Sequence, residues 1–277
     1  MRLSSRTGGG VLPDLYQIKD LRLSLPDMTR KPILGAAPRI EILRGLSFNI
    51  PKGEILGIVG GSGSGKSTLG RAMVRLLEPT AGTIQFAGID ISHLAEADLR
   101  PLRRRVQMIF QDPMSSLNPR HRVAQLIGAP LQLHGIENAD RRAQEALDQV
   151  GLPRDFARRY PQELSGGQRQ RVGIARAIAL RPEFILADEV VSGLDVSSQA
   201  QVLNLLETLV KDLGLTLAFI SHDLSVIRRL CTRIVVLHQG EIVENAATDQ
   251  LFSAPKAAYT RDLLDAIPLP DPDQIWV

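Results

Sequence analysis

Residues 54–68 read EILGIVGGSGSGKST, and this stretch decides the fold class. The first seven residues form a short apolar run that ends in glycine, which predicts a buried strand. The remainder contains the pattern G-x-x-x-x-G-K-S, which binds phosphates when it follows a strand and opens a helix. We expect that helix to run from about Lys66 to Leu77. An ordinary glycine-rich turn would not need this order of strand, loop and helix.

The loop contains the groups that bind the phosphates of a nucleotide. Its glycines let backbone N–H groups wrap the phosphates, and a side chain at Gly63 or Gly65 would obstruct them. The helix N-terminus adds partial positive charge. Lys66 is expected to reach the β- and γ-phosphates, and Ser67 to bind Mg²⁺. The expected nucleotide-binding residues are Gly60, Gly61, Ser62, Gly63, Ser64, Gly65, Lys66, Ser67 and Thr68.

A second buried run, FILADEVVSGLD at 184–195, leads into two adjacent acids. Burying them unpaired would cost on the order of several kcal/mol. P-loop proteins end such a strand in the acid that holds Mg²⁺, often through water, and Asp188 fits that position. Glu189 points to the other side of the pleat, so it is expected to address the attacking water. A surface turn that carries two acids is the alternative.

The patterns around these motifs predict an α/β fold. Strand patterns at 15–25, 40–50 and 82–88 have hairpin-like spacing, and from 169 onward helices and strands alternate. The intervening region, about 115–163, shows helical patterns and no convincing strand. We therefore predict a P-loop, RecA-like parallel-sheet core with an antiparallel β subdomain and an inserted α-helical subdomain.

We expect one nucleotide-binding domain over residues 15–268, with the helical subdomain inserted at about 115–168. Residues 1–14 are expected to form a disordered leader, and 269–277 a short tail. The length of 277 residues suits one large domain with a lobe, or two small domains. No apolar run approaches the ~20 residues that span a bilayer, and the N-terminus lacks the apolar core of a secretory signal.

The composition argues against other classes of protein. The chain has 33 lysines and arginines against 30 acids, a net charge of +3. Arginine clusters at 100–105 and 120–122 could contact nucleic acid, but aromatic residues make up only 4% and none lies among those arginines. No nucleic-acid partner is therefore expected. The single cysteine, Cys231, excludes an internal disulfide and fits a reducing cytosol.

The stretch LSGGQ at 164–168 places Ser165 and two glycines before a helical pattern, a second potential anion site. Alone, this motif is explained equally well by a plain capped turn. It lies about 100 residues after Lys66 and about 20 before Asp188. With that spacing, the chain resembles the ABC ATPase family over roughly residues 15–267.

That resemblance implies a head-to-tail pair of nucleotide domains, with each ATP between one phosphate loop and the partner's LSGGQ. Gln111, in MIFQDP, resembles the Q-loop glutamine that contacts Mg²⁺ or water. His222, in FISHD, resembles the switch histidine that contacts the γ-phosphate. The residues that would complete the partner's ATP site are Ser165, Gly166, Gly167, Gln168 and Asp195. The expected catalytic residues are Lys66, Glu189 and His222, and the expected Mg²⁺ ligands are Ser67, Gln111 and Asp188. Gln111 is also expected among the nucleotide-binding residues.

Three stretches, at 110–120, 197–206 and 257–268, resemble the ATPases of dipeptide, oligopeptide and nickel importers. The third, AAYTRDLLDAIP, has two alanines where the subfamily usually has His-Pro. The resemblance implies ATP and Mg²⁺ as cofactors and a second ATPase, encoded by a different gene, as a partner. It also implies two transmembrane permeases, whose coupling helices enter a groove near Gln111, and an extracytoplasmic binding protein. The chain would lie peripherally on the cytoplasmic face of the inner membrane.

The sequence departs from the family pattern at three places. Leu25 stands where the subfamily has an aromatic residue that stacks on adenine, so base affinity is expected to fall, unless Arg39 or Ile40 covers the ring. Val190 replaces a common proline; valine favours extended geometry, so we expect the local conformation and the activity to be kept. Many members end in a cysteine-bearing extension, and no iron–sulfur cluster is expected here.

Three functions remain open at this point. The first is the ATPase subunit of an importer for small peptides or for a nickel or other metal chelate. The second is a binding-only partner of a catalytic ATPase, against which the intact motif residues argue. The third is a soluble ABC-type protein that acts on DNA or ribosomes, which usually carries coiled coils, zinc cysteines or tandem cassettes. None of these features occurs in the sequence.

Overall fold

The computed structural model describes residues 13–32, 35–112 and 116–266, and their strands form two sheets. The central sheet has a parallel arrangement, with one antiparallel strand at its edge. In spatial order its strands are β10 (Glu241–Ala247), β9 (Arg233–His238), β3 (Ile55–Val59), β8 (Thr216–Ile220), β7 (Phe184–Asp188) and β6 (Val106–Ile109). Strands β3, β7 and β8 are buried along their whole length, as expected of parallel strands covered on both faces.

The second sheet is antiparallel and corresponds to the predicted β subdomain. Its order is β2 (Arg39–Pro51), β1 (Asp14–Pro26), β4 (Ala81–Phe86) and β5 (Ile89–Asp90). Tyr16 joins the two sheets, because its buried ring packs against Phe86 of this sheet and Phe184 of the central one. Its hydroxyl donates to the carbonyl of Met73 at 3.2 Å. Tyr16 is therefore a core residue.

The helices lie between and around the strands. In chain order they are α1 (Lys66–Met73), α2 (Glu96–Arg103), α3 (Val123–Leu133), α4 (Ala139–Gln149), α5 (Gly166–Ile178), α6 (Val196–Leu213), α7 (Leu224–Leu230), α8 (Thr248–Ser253) and α9 (Ala258–Asp265). Short 3₁₀ turns occur at 28–30, 154–158 and 161–163. None of the helices in the described ranges is both long and apolar enough to cross a membrane.

Helices α3 and α4 form the helical subdomain together with the 3₁₀ turns that follow them. Between residues 116 and 163, all of which are described, the chain forms no strand. Apolar residues at helical spacing bury one face of each helix, and both helices pack against α5. The fold is the predicted α/β class, a P-loop core with an antiparallel β subdomain and a helical subdomain.

Several local predictions differ from the structure. Helix α1 ends at Met73, not at Leu77, because Arg75 takes a left-handed turn (φ 54°) and donates to the carbonyl of Ile91 at 2.6 Å. Asp14, expected in the leader, begins β1 and accepts a hydrogen bond from Asn49 at 2.7 Å. The sequence patterns did not predict α2, β5, β6, β10, α8 or α9.

Some predictions fall outside the described residues. These are the leader at 1–12, the tail at 269–277 and the end of the chain, on which the expectation of no iron–sulfur cluster rests.

Candidate nucleotide site

The predicted motifs meet at one edge of the central sheet. Strands β3, β7 and β8 run parallel, so their carboxyl ends lie side by side. The phosphate loop leaves β3 at Gly60, the two acids end β7, and His222 follows β8 closely. The backbone N–H of Glu189 also donates to the carbonyl of Ile220 at 2.9 Å, which ties the exits of β7 and β8 together.

The glycines of the phosphate loop are required by its geometry. Gly60, Gly63 and Gly65 have φ of 152°, 75° and 104°, which L-residues with a side chain rarely adopt. A Cβ at Gly60 would lie 2.2 Å from the carbonyl oxygen of Leu237, and one at Gly65 would lie 3.0 Å from Leu43. The loop therefore folds close against its neighbours and leaves its other side open to the cleft.

Lys66 lies folded back over the loop. Its Nζ donates to the carbonyls of Gly60 at 2.8 Å and Gly61 at 2.9 Å. Burial lowers the pKa of Lys66, and the charges of Glu189 and Asp188 oppose that shift. An ammonium has three N–H donors, so one remains for a phosphate oxygen.

Ser67, which lines the cleft, lies beside the buried carboxylate of Asp188, and both carry oxygen ligands. The Ser67 hydroxyl donates to Oδ1 of Asp188 at 3.3 Å. Burial raises the pKa of Asp188, and the charge of Glu189 adds to that effect, while the Ser67 hydrogen bond opposes it. Mg²⁺ binds through one or two protein oxygens together with substrate phosphates, so this pair fits the ion.

The hydroxyl of Ser64 lies on the side of the loop that packs against the core. Its Oγ is buried and has no hydrogen-bond partner among the described residues. A Cβ at Gly60 would lie 2.7 Å from this oxygen and 2.2 Å from the carbonyl oxygen of Leu237, so the hydroxyl is close to that carbonyl. The groups of the loop that can contact a phosphate are therefore its backbone N–H groups and Lys66.

The carboxylate of Glu189 lies between the two residues matched to the Q-loop and switch positions. Gln111 donates to its Oε2 at 2.8 Å, and Nδ1 of His222 lies 3.4 Å from its Oε1. The Glu189 side chain is 19% exposed and that of His222 is 65% exposed. The Gln111 amide thus contacts Glu189, and its predicted role as a Mg²⁺ ligand stays a prediction.

The two valines after Glu189 lie in a turn, and their side chains pack into the core. The chain turns here, with Glu189 at φ 48° and Ser192 N–H donating to the Glu189 carbonyl at 3.1 Å. The expectation of extended geometry at Val190 is therefore wrong. Val190 and Val191 are buried in the core, so their apolar side chains hold the turn in place.

A cleft of about 490 Å³, within the usual range for a small-molecule site, lies among these groups. Its lining residues are Ile42, Ser62, Gly63, Ser64, Gly65, Lys66, Ser67, Thr68, Glu189 and His222. Asp188 and Gln111 are not in the lining and reach the cleft through their contacts with Ser67 and Glu189. Ile42 was missed by the sequence analysis. The alternation of the predicted strand at 40–50 placed it on one face, but only the packing of β2 against the loop shows that this face borders the cleft.

Leu25, Arg39 and Ile40, the positions discussed above for contact with adenine, are not among the described residues that line the cleft. Leu25 pairs with Ile40 across β1 and β2 and packs partly into the core. The Arg39 guanidinium donates to the carbonyl of Ser24, so it is tied back to the strand. Among the residues that line the cleft, Ile42 carries the apolar side chain.

The LSGGQ motif lies at a different surface. Ser165 caps α5, since its hydroxyl accepts from the N–H of Gln168 at 3.3 Å and its N–H donates to Oε1 of Gln168 at 3.0 Å. A Cβ at Gly167 would lie 3.1 Å from Oγ of Ser198. Among the described residues, LSGGQ does not contribute to the lining of the nucleotide cleft.

Asp195 lies beside LSGGQ and caps the next helix. Its carboxylate accepts from Ser198 N–H at 2.9 Å and from the Ser198 hydroxyl at 2.7 Å, and these hydrogen bonds lower its pKa. The adjacent Val196 is 83% exposed. The structure thus separates the predicted residues into a cleft group and a second, exposed group.

A parallel sheet with a phosphate loop after β3, two acids at the end of β7 two positions away in the sheet, and a capped LSGGQ helix defines an ATP-binding cassette. The family model described as "ABC transporter" matches residues 43–192, and the chain belongs to this family. The family predicted from the motifs is confirmed.

Proteins similar to this chain are named as ATP-binding proteins of oligopeptide transport, and a solved structure similar to it is an ATP-binding cassette. The oligopeptide transport ATP-binding proteins OppF and AppF of Bacillus subtilis are each 50% identical, over 239 and 234 residues. The OppF match covers 84% of this chain and 78% of OppF, and the AppF match covers 83% and 71%. A dimeric ATP-binding cassette in a post-hydrolysis state, bound to ADP and Pi, superposes with a TM-score of 0.73 at 30% identity. That superposition covers 84% of this chain and 98% of the cassette.

Proposed function

We propose that this chain is the ATP-hydrolysing subunit of an ABC importer for small peptides. The observation that carries the proposal is the position of the Glu189 carboxylate, which contacts Gln111 and lies beside His222 at the mouth of the phosphate-loop cleft. The names of OppF and AppF support peptides as the transported substrate. Transport of a nickel or other metal chelate stays a prediction from the sequence.

In the proposed reaction the phosphate loop binds the triphosphate through its backbone N–H groups, and Lys66 binds the β- and γ-phosphates. Ser67 and Asp188 would hold Mg²⁺, which neutralises charge on the phosphates when bound. Glu189 accepts a hydrogen bond from a water and orients it toward the γ-phosphorus. The water oxygen bonds to that phosphorus while its proton passes to Glu189, the bond from the phosphorus to the bridging oxygen breaks, and the products are ADP and phosphate.

Gln111 and His222 position the general base in this scheme. Their contacts hold the Glu189 carboxylate at the cleft mouth, although its backbone conformation is strained. His222 is largely exposed, so it can turn from Glu189 toward a γ-phosphate. This arrangement favours a catalytic subunit over a binding-only partner, since a chain that only binds ATP has no need of a positioned base.

We place the permease contact at a groove of about 650 Å³ between the core and the helical subdomain. Leu76 and Phe110 are exposed apolar residues on its wall, and Leu126 and Pro130 of α3 line the opposite side. Phe110 directly precedes Gln111. A permease helix in this groove would therefore contact the segment that reaches the Glu189 carboxylate.

The proposed assembly also contains a second ATPase, two permeases and an extracytoplasmic binding protein, with this chain peripheral to the inner membrane. LSGGQ and Asp195 would complete the ATP site of the second ATPase. Ser165 and Asp195 are exposed, and neither LSGGQ nor Asp195 lines the chain's own cleft, which supports this role.

The test is ATP hydrolysis by the assembly in vesicles, formed with the permeases and second ATPase encoded by neighbouring reading frames. Addition of a peptide-loaded binding protein is expected to stimulate turnover by the wild-type chain. A Glu189→Gln assembly, prepared in the same way, serves as the control. Wild-type turnover no higher than that control, or neighbouring genes that encode no binding protein or permease, would overturn the proposal.

A further inference from the structure

The C-terminal helix α9 contacts the outer side of the phosphate loop. The hydroxyl oxygen of Tyr259 accepts a hydrogen bond from the backbone N–H of Gly61 at 2.8 Å, across 198 residues of sequence. A Cβ at Gly61 would lie 2.9 Å from this oxygen, so the approach is close. Tyr259 belongs to a stretch that the proposed reaction does not use.

Two further contacts fix the position of Tyr259. Its ring packs on His238, the last residue of β9, with ring centroids 3.9 Å apart. The N-terminus of α9 is held by Glu244 of β10, whose carboxylate accepts from Lys256 N–H at 2.9 Å and Ala257 N–H at 3.0 Å. Glu244 is itself buried, so the helix is anchored to the central sheet before it reaches the loop.

The peptide groups of Gly61 connect Tyr259 to Lys66. The N–H of Gly61 donates to Tyr259, and its carbonyl accepts from Nζ of Lys66 at 2.9 Å. The outer side of the loop has one more anchor, since Gly240 donates to the carbonyl of Ser64 at 3.1 Å. Tyr259 and Gly240 do not line the cleft, so they hold the loop from outside it while its N–H groups and Lys66 face a phosphate.

We propose that Tyr259 is a positioning residue: it holds Gly61, and through Gly61 the phosphate loop and Lys66, in the conformation that binds nucleotide phosphates. This inference rests on the proposed function. Without the phenol oxygen, the Gly61 N–H loses its partner and the loop samples conformations in which its N–H groups do not converge. Binding then includes the cost of ordering the loop, which weakens affinity without altering the reacting groups.

The test uses Tyr259→Phe in the full chain, because phenylalanine keeps the ring that packs on His238 and removes only the hydroxyl. Tyr160→Phe is the matched control, since it removes a phenol hydroxyl from the helical subdomain, where the ring lies over Arg122. Titration with Mg·ATP and Mg·ADP, below the melting temperature of each variant, gives the dissociation constants. Hydrogen exchange of the nucleotide-free chains gives the protection of residues 60–66.

We expect the dissociation constants of Tyr259→Phe to rise about fivefold, as for the loss of one hydrogen bond. Exchange at 60–66 is expected to accelerate, and Tyr160→Phe to match wild type in both measurements. A lower melting temperature with unchanged affinity and exchange would mean that Tyr259 only stabilises the fold, and would overturn the inference alone. A wild-type chain that bound neither nucleotide would overturn the proposed function as well.

Discussion

The phosphate loop and LSGGQ are both glycine-rich stretches at the start of a helix, but they are held in different ways. The phosphate loop contacts residues that are far away in sequence, such as Asp188, Leu237 and Tyr259. In LSGGQ, the Ser165 and Gln168 contacts join residues three positions apart. The loop thus takes its shape from the whole core, whereas LSGGQ is shaped largely by its own helix cap.

This difference bears on how much of the site one chain contains. Around the phosphate loop the chain brings together a cation, oxygen ligands for a metal and a carboxylate base. Around LSGGQ it offers backbone N–H groups and an exposed surface. We infer that the first group binds nucleotide within the chain and that the second acts on a nucleotide held by another subunit.

The largest effect on ATP hydrolysis is expected for Glu189→Gln, in the group of residues around the phosphate loop (the loop half). The residues around LSGGQ form the LSGGQ half. The amide keeps the size of the side chain but accepts a proton poorly, so turnover should fall about a thousandfold in an assembly whose second ATPase already carries the matching substitution, where only this chain's site turns over. Steady-state hydrolysis measures this, and Mg·ATP titration of the same variant should show affinity near wild type. Turnover within a few-fold of wild type would show that another group activates the water.

Gly167→Asp tests the LSGGQ half. The carboxylate would crowd Ser198 and place a negative charge at the proposed anion site, so hydrolysis by the assembly should fall about a hundredfold. Binding of Mg·ATP to the isolated chain should stay unchanged, because its own cleft is elsewhere.

Gly173→Ala in the same helix is the control for Gly167→Asp, since a Cβ there meets nothing within 4 Å. If Gly167→Asp weakened nucleotide binding to the isolated chain as strongly as it lowered turnover, the separation of the two halves would be contradicted.

Asp188→Asn distinguishes metal binding from phosphate binding in the loop half. Loss of the carboxylate charge should lower the affinity for Mg²⁺ in the presence of ATP about tenfold. The affinity for ATP in EDTA should not fall, because the loop N–H groups and Lys66 remain. Titration of Mg²⁺ against the ATP-bound chain measures the effect, and equal losses with and without the ion would argue against the proposed ligand role.

The smallest of these effects is expected for Asp195→Ala, and it concerns the stability of the fold. It removes the cap of α6, which is worth about 1 kcal/mol, and should lower the melting temperature by about 2–4 °C. Asp195→Asn keeps a capping side chain and should melt near wild type. If both variants melted alike and below wild type, the negative charge and not the cap would be what stabilises the helix.

The predictable parts of the molecule are those with local physical causes. The phosphate loop requires glycines and a lysine in a set order, and buried parallel strands require apolar runs such as that at 184–187. The elements that were missed depend on packing. Strand β6 has only four residues and pairs only with β7 in the described sheet, and α9 is defined by its anchor on Glu244.

The sequence by itself determined that this chain is an ATP-binding cassette, because the phosphate loop, LSGGQ and the two acids carry their chemistry in residue order and spacing. Only the tertiary structure decided which groups meet. In the structure the chain turns at Glu189 and does not continue as an extended strand, Ile42 lines the cleft, and Tyr259 contacts Gly61. Contacts of this kind join residues far apart in the chain, and local patterns cannot specify them.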